Sequence, residues 1–351
     1  MSGPERDQSP VIRTLIVDDS PFVRKVVREI LSRSPFIEVV GMARDGEEAL
    51  EMAARLKPRV ITCDLTMPRM DGVEFVRRQM SRAPLPILIL SASPADGELV
   101  LEAINAGAVD FVRKPTARAT EDLLGMREEL LEKVKGAARA PVQNLHIEPA
   151  STPRPISAPR NSNVDVVVLG ISTGGPQALR YLIPQLPANF PVPLLIVLHM
   201  PVGYTAMFAA KLAEISKLKV CEAEDGQMLS PGVAVVAQAG RHLVLRRNAS
   251  GQVQIRLVAT PLDKPHRPSV DVLFQSAAEI FQSRTLAIVM TGMGDDGKEG
   301  AAWVKAQGGK VVTEAEESCV IYGMPRSVVE AGLSDQAAPL SAMAETIMKN
   351  L

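Results

Sequence analysis

At 351 residues the chain exceeds one typical domain, and with 46% apolar and 23% charged residues each half can bury a core. A net charge of −1, with only short basic doublets such as Arg77-Arg78 and Arg246-Arg247, excludes a surface built for nucleic acid or anionic membrane. Three scattered cysteines, Cys63, Cys221 and Cys319, exclude a disulfide framework and a cysteine-rich zinc site. Together with a polar N-terminus and apolar runs too short to span a bilayer, they predict a cytoplasmic protein with no membrane insertion.

The first part alternates short β-branched runs with helical patterns. Strands are expected at 11–17, 37–43, 60–63, 87–90 and 110–112, with helices at 21–32, 46–56, 72–80 and 97–106 between them and a fifth near 121–138. Such alternation with short connections predicts a doubly wound, flavodoxin-like sheet of five parallel strands over 11–138. Residues 139–163 hold Pro141, Pro149, Pro153, Pro155 and Pro159 among small polar residues and read as a linker. A second α/β series fills 164–351. Its strands are expected at 164–169, 194–198, 233–236, 243–245, 253–257, 286–290 and 310–312, and its helices at 176–186, 204–215, 269–281, 297–306 and 325–331. The pattern is that of a Rossmann-like, mostly parallel sheet with an antiparallel hairpin insertion over roughly 231–257.

Asp18 and Asp19 follow the first expected strand, Asp64 the third, Ser91 the fourth and Lys114 the fifth. Neighbouring strand ends in a parallel sheet bring such residues into one crevice. Three carboxylates there call for a cation, and an oxygen-rich open site suits Mg²⁺. With a lysine and a hydroxyl added, the set supports phosphoryl transfer to a carboxylate. Taken singly, Asp18 and Asp19 also read as helix caps and Lys114-Pro115 as a turn.

In the second series, Gly170-Ile171-Ser172-Thr173-Gly174-Gly175 joins a strand to a helix opened by Pro176. By itself the string reads equally as a nucleophile turn or as a phosphate cradle. His199 and the pair Asp295-Asp296 each follow another expected strand, so serine, histidine and aspartate share the carboxyl edge. Histidine is the base that serine needs, and an aspartate orients it; spacing does not choose between Asp295 and Asp296. The order Ser, His, Asp differs from that of the α/β-hydrolases. His146, His242 and His266 read as structural or surface residues, and Cys319 as a poor candidate nucleophile with no histidine in its loop.

From Val11 to Pro115 the chain resembles the receiver domains of two-component response regulators. The resemblance is carried by Asp18-Asp19-Ser20, Asp64 in Cys63-Asp64-Leu65-Thr66-Met67-Pro68, Asp71-Gly72, Ser91-Ala92 and Lys114-Pro115. It implies Asp64 as phosphoacceptor, Mg²⁺ held by Asp18, Asp19, Asp64 and the Thr66 carbonyl, and switch positions at Ser91 and Phe111. From Val164 onward the chain resembles the chemotaxis protein-glutamate methylesterase family known as CheB. The motifs are 170–175, His199-Met200-Pro201, Arg267-Pro268-Ser269-Val270-Asp271, 291–297 and Tyr322-Gly323-Met324-Pro325. That resemblance implies a triad of Ser172, His199 and Asp296, with Thr173 and Met293 near the oxyanion or substrate. The implied reaction is hydrolysis of glutamate methyl esters on methyl-accepting chemotaxis receptors, with deamidation of receptor glutamines. It requires no cofactor for the ester chemistry, takes its phosphoryl group from a chemotaxis histidine kinase, and is held in check by the unphosphorylated receiver.

Overall fold

The computed structural model describes residues 11–114, 122–140 and 163–351. The proline-rich stretch read as a linker, with His146, and Pro115 of the lysine-proline motif lie outside them. The chain divides into two units, Met1–Leu145 and His146–Leu351.

In the first unit the elements are β1 (Ile12–Val17), α1 (Pro21–Leu31), β2 (Ile37–Ala43), α2 (Gly46–Leu56), β3 (Val60–Asp64), α3 (Gly72–Arg82), β4 (Ile87–Ser91), α4 (Gly97–Asn105), β5 (Asp110–Arg113) and α5 (Asp122–Ala137). The sheet order is β2-β1-β3-β4-β5, all parallel. Every residue of β3 and β4 is buried, which is why these strands read as unbroken apolar runs and not as alternating ones. Helices α1, α2 and α3 start at side-chain caps: Ser20 Oγ accepts from Val23 N–H, Asp45 from Glu47 and Glu48 N–H, and Asp71 from Glu74 N–H. The first cap is thus Ser20, which leaves Asp18 and Asp19 for other work.

The second unit contains β6 (Val166–Ile171), α6 (Gly175–Leu182), β7 (Leu194–Leu198), α7 (Thr205–Ile215), β8 (Lys219–Glu222), β9 (Val233–Val236), β10 (His242–Arg247) and β11 (Val253–Val258). There follow α8 (Val270–Phe281), β12 (Thr285–Val289), α9 (Lys298–Ala306), β13 (Lys310–Glu314), α10 (Met324–Glu330), β14 (Gln336–Ala338) and α11 (Leu340–Asn350). Seven strands form one parallel sheet in the order β14-β13-β12-β6-β7-β9-β8. The antiparallel pair is narrower than the expected 231–257. Residues Val233–Val236 pair parallel with β7 and β8, and only β10 and β11 form the hairpin, as a separate two-stranded sheet. Its inward side chains Leu243, Leu245 and Ile255 pack into one buried cluster with Val168, Leu195 and Phe274, so the hairpin and α8 cover the same side of the main sheet.

Strands β8 and β14 and helix α11 were not among the expected elements. Both strands lie at the sheet edges, and no apolar run marks them. Among the described residues no helix is long and apolar enough to cross a membrane.

Candidate active site and phosphoacceptor pocket

In the first unit the chain reverses direction across the sheet at β1, between β2 and β3, and a crevice opens beyond the carboxyl ends of β1 and β3. Asp18 and Asp64 are buried there and Asp19 is exposed, and one carboxylate oxygen from each lies within 4.8 Å of the other two. Lys114 Nζ reaches Asp64 Oδ2 at 2.6 Å and Asp18 Oδ2 at 2.9 Å. Asp18 Oδ1 accepts from Ser20 N–H at 2.9 Å, and Asp64 Oδ1 from Thr66 N–H at 3.3 Å.

Burial tends to lower the Lys114 pKa, but its hydrogen bonds to Asp64 and Asp18 outweigh that and raise it. The lysine does not have the matching effect on its partner. Burial, helped by the neighbouring Asp18 charge, raises Asp64 despite the ammonium. An all-oxygen donor set with one solvent-facing carboxylate fits a hard divalent ion such as Mg²⁺ that keeps some of its water.

Ser91, at the end of β4, donates its hydroxyl to the Ser93 carbonyl at 3.2 Å and to Asp96 Oδ2 at 3.3 Å, so it is engaged with its own loop. Phe111 is 1% exposed, and Lys133 Nζ donates to its carbonyl at 2.8 Å while lying 5.8 Å from the ring centre. The same ammonium pairs with Asp110 and Glu129 at 3.1 Å each. This brace on Phe111 has no local mark in the sequence, because it depends on α5 packing against β5.

In the second unit Ser172 follows β6, His199 follows β7 and Asp296 lies in the loop after β12, with β6 flanked by the other two strands. The parallel ladders run past the strand ends and fix these loops side by side. His199 N–H donates to Ile171 O at 3.1 Å, and Ser172 N–H to Thr291 O at 3.0 Å. Gly174 adopts φ +81, left-handed backbone that glycine takes without strain, and the chain turns there into α6. Gly292 leaves the space in which the serine stands: a Cβ on it would lie 2.8 Å from Ser172 Cβ. Thr291 Oγ1 donates to Thr173 O at 3.0 Å and accepts from Ile321 N–H at 3.0 Å, lacing the serine turn to the loops on either side. Thr173 is buried, and Met293 is half-buried on the 291–297 loop.

His199 Nε2 lies 2.8 Å from Asp296 Oδ2. With Nε2–H donating to the carboxylate, Nδ1 carries the lone pair; it is buried and has no hydrogen-bond partner among the described residues. Asp296 accepts three further bonds, from Ser269 Oγ at 2.8 Å, Val270 N–H at 2.8 Å and Asp271 N–H at 3.0 Å. Burial alone would raise its pKa; the His199 hydrogen bond and charge, with the two backbone N–H groups, instead hold it far below the usual carboxylate range. These bonds make Asp296 the cap of α8, supplied from another loop. Asp271, in the first turn of α8, returns the favour to α9 by accepting from Gly297 and Gly300 N–H at 2.8 Å each. Asp295 points to solvent and pairs with Lys298. The geometry thus separates two aspartates that spacing leaves equivalent.

One histidine, His266, departs from the surface or structural reading, and His242 fits it. The exposed His266 ring stacks on His199, with centroids 4.1 Å apart and planes inclined by 21°. His242 is buried and accepts from Ser269 N–H at Nδ1 (3.2 Å) while facing Pro261 O at Nε2 (3.0 Å), so it is a neutral support beneath the α8 cap. Burial holds its pKa down. Cys319 is 1% exposed, and burial together with the Glu314 charge pushes its thiol far up, the opposite of what a nucleophilic cysteine needs.

An acidic phosphoacceptor-type crevice on a flavodoxin-like sheet, and a serine, histidine and aspartate on a second parallel sheet, define a receiver-bearing protein of the serine hydrolase class. A family model described as CheB methylesterase matches residues 167–347, and one described as response regulator receiver domain matches residues 14–124. The chain is 48% identical over 344 residues to protein-glutamate methylesterase/protein-glutamine glutaminase 5 of Myxococcus xanthus, covering 97% of this chain and 98% of that one. It is 41% identical over 340 residues to the protein-glutamate methylesterase/protein-glutamine glutaminase of Thermotoga maritima, with 97% and 98% covered. The crystal structure of the Thermotoga maritima CheB methylesterase catalytic domain matches with a TM-score of 0.52 at 42% identity, over 54% of this chain and 99% of that one. The chain belongs to the CheB methylesterase family and carries a response regulator receiver domain.

Proposed function

We propose that this protein hydrolyses glutamate methyl esters on methyl-accepting chemotaxis receptors, releases methanol, and deamidates receptor glutamines by the same route. The observation that carries this reading is the His199–Asp296 bond of 2.8 Å at the strand ends flanking Ser172. The names of the relatives supply the substrate class.

Ser172 Oγ attacks the ester carbonyl as Nδ1 of His199 takes its proton. Asp296 keeps Nε2 protonated and stabilises the imidazolium. Backbone N–H groups of Thr173, in the turn before α6, and of Met293 receive the oxyanion. His199 then returns the proton to the leaving methoxide, and water cleaves the acyl-serine with the same base. With an amide in place of the ester the leaving group is ammonia.

Asp64 is the phosphoacceptor in this reading, and a chemotaxis histidine kinase is the donor. Asp18, Asp19, Asp64 and the Thr66 carbonyl would hold Mg²⁺, which neutralises phosphoryl oxygens when bound. Lys114 fixes the new phosphate, and Ser91 turns from Ser93 and Asp96 toward it, changing the packing around Phe111. The receiver restrains the esterase until then. A fragment from Val164 onward is expected to release methanol faster than the unphosphorylated full chain, and a small phosphodonor with Mg²⁺ should close the gap; equal rates throughout would remove the regulatory half of the proposal.

His266 enters as a support for the base. A ring pair contributes about 1 kcal/mol, roughly a fivefold change in rate. His266→Ala should therefore lower kcat by roughly that factor with little change in KM, and His266→Phe should retain it. Equal losses in both variants would show that stacking is not what matters.

A further inference from the structure

Glu314, the last residue of β13, is 0% exposed, and among the described residues no cation shifts it. Its Oε2 accepts from Thr291 N–H at 2.8 Å, and its Oε1 from Ser318 Oγ at 2.8 Å. Ser318 Oγ in turn accepts from Leu340 N–H at 2.9 Å, which ties the cluster to the start of α11. Thr291 is the residue on which the nucleophile turn rests: its carbonyl receives Ser172 N–H, its hydroxyl holds the Thr173 carbonyl, and the next residue, Gly292, stands against Ser172 Cβ. The mechanism above leaves this carboxylate without a task, and a buried charge with only neutral donors is costly to keep.

We propose that Glu314 is a positioning residue for the nucleophile: its carboxylate, through the Thr291 N–H, sets the loop that aligns Ser172 and the Thr173 oxyanion donor. This rests on Ser172 being the nucleophile. A charge-assisted bond to an N–H is shorter and about twice as strong as a neutral one, so the ionised form is the working one. Burial pushes Glu314 up to about 7, although the Thr291, Ser318 and Cys319 bonds pull the other way. Among the described residues no charged side chain shifts it, and the groups that lower it are the Thr291 amide, the Ser318 hydroxyl and the Cys319 thiol.

The consequence separates function from stability. An acid whose folded pKa lies above its unfolded value stabilises the fold below the unfolded pKa and loses that contribution as pH rises through the folded one. With values of about 7 folded and 4.5 unfolded, the ionised glutamate lowers stability at pH 8. Glu314→Gln in the full chain should then raise the thermal midpoint of the catalytic unit at pH 8 and leave it nearly unchanged at pH 5. In the same variant kcat should fall roughly tenfold to a hundredfold, the scale of a small misalignment, with KM nearly constant. Labelling of Ser172 by a fluorophosphonate should slow in step. Ser318→Ala offers a second route: it removes a donor from the carboxylate, so activity lost at pH 7 should return by about pH 9, as a raised pKa requires.

Unchanged kcat and labelling in Glu314→Gln overturn the role. So does a loss of activity that comes with lower stability at pH 8, since that is what a merely structural carboxylate predicts. Labelling of the native chain that survives Ser172→Ala removes the nucleophile assignment itself, and with it this inference.

Discussion

Replacing Ser172 by alanine is expected to lower methanol release from methylated receptor membranes on the order of 10⁶-fold, the loss seen when the nucleophile of a serine triad is removed. The fold should not change. Ser172 is held through its backbone, by its N–H to Thr291 O at 3.0 Å and its carbonyl to Gly175 N–H at 2.7 Å, and alanine keeps both bonds. Unfolding curves and phosphorylation of Asp64 should match those of the native chain, because the substitution removes one hydroxyl at a strand end. Turnover above about a thousandth of the native rate would mean that another group attacks the ester.

Asp296 presents the opposite case, in which chemistry and architecture fall together. Asp296→Asn is expected to lower kcat roughly 10⁴-fold, since an amide cannot hold the Nε2–H tautomer of His199 as a carboxylate does. The carboxylate faces four donors: His199 Nε2–H, Ser269 Oγ–H, Val270 N–H and Asp271 N–H. An asparagine turns its NH₂ toward two of them whichever way it lies. Asp296→Ala should in addition destabilise the catalytic unit by about 3 kcal/mol, the cost of leaving buried donors unmet. Its effect has a defined pH window. The depressed folded pKa means that the native carboxylate contributes its stability above the unfolded value near 3.8, and loses it only as pH falls toward the much lower folded value. The stability gap between native and alanine chains should therefore be flat from pH 5 to 8 and shrink below pH 4. A gap that closes between pH 6 and 7 would assign the effect to a different group.

Much of this site is legible in the sequence because each chemical group stands directly after a strand, and parallel strand ends meet in space. Asp18, Asp64 and Lys114 are found that way, as are Ser172 and His199. The continuous apolar strands Leu194–Leu198 and Val233–Val236 are legible down to their ends for the same reason that they are buried on both faces. Helix α11 lies outside the expected elements, although Leu340, Met343, Ala344 and Ile347 form a stripe at helical spacing.

What escapes is set by tertiary contacts. The choice between Asp295 and Asp296 depends on the N-terminus of α8, 25 residues earlier in the chain, arriving at one of them. His266 sits in a polar loop, and nothing local marks it as a ring that covers His199. Glu314 looks like the polar end of a strand until β14 and the 291–297 loop enclose it. The main-sheet role of β9 is hidden because the strand stands next to a hairpin in sequence and apart from it in the sheet.

The crossed caps between Asp296 and Asp271 bear on how this fold can drift. A lineage relieved of its ester substrate is free to exchange Ser172, whose bonds to Thr291 O and Gly175 N–H are made by its backbone. It is not free to exchange Asp296, because two helices begin at the clasp to which that residue belongs. Decay of the site is therefore ordered by architecture: the serine goes first, and the aspartate stays behind as scaffold. A relative that retains the aspartate alone should be read as a folded, inactive descendant, and its aspartate carries no testimony about catalysis.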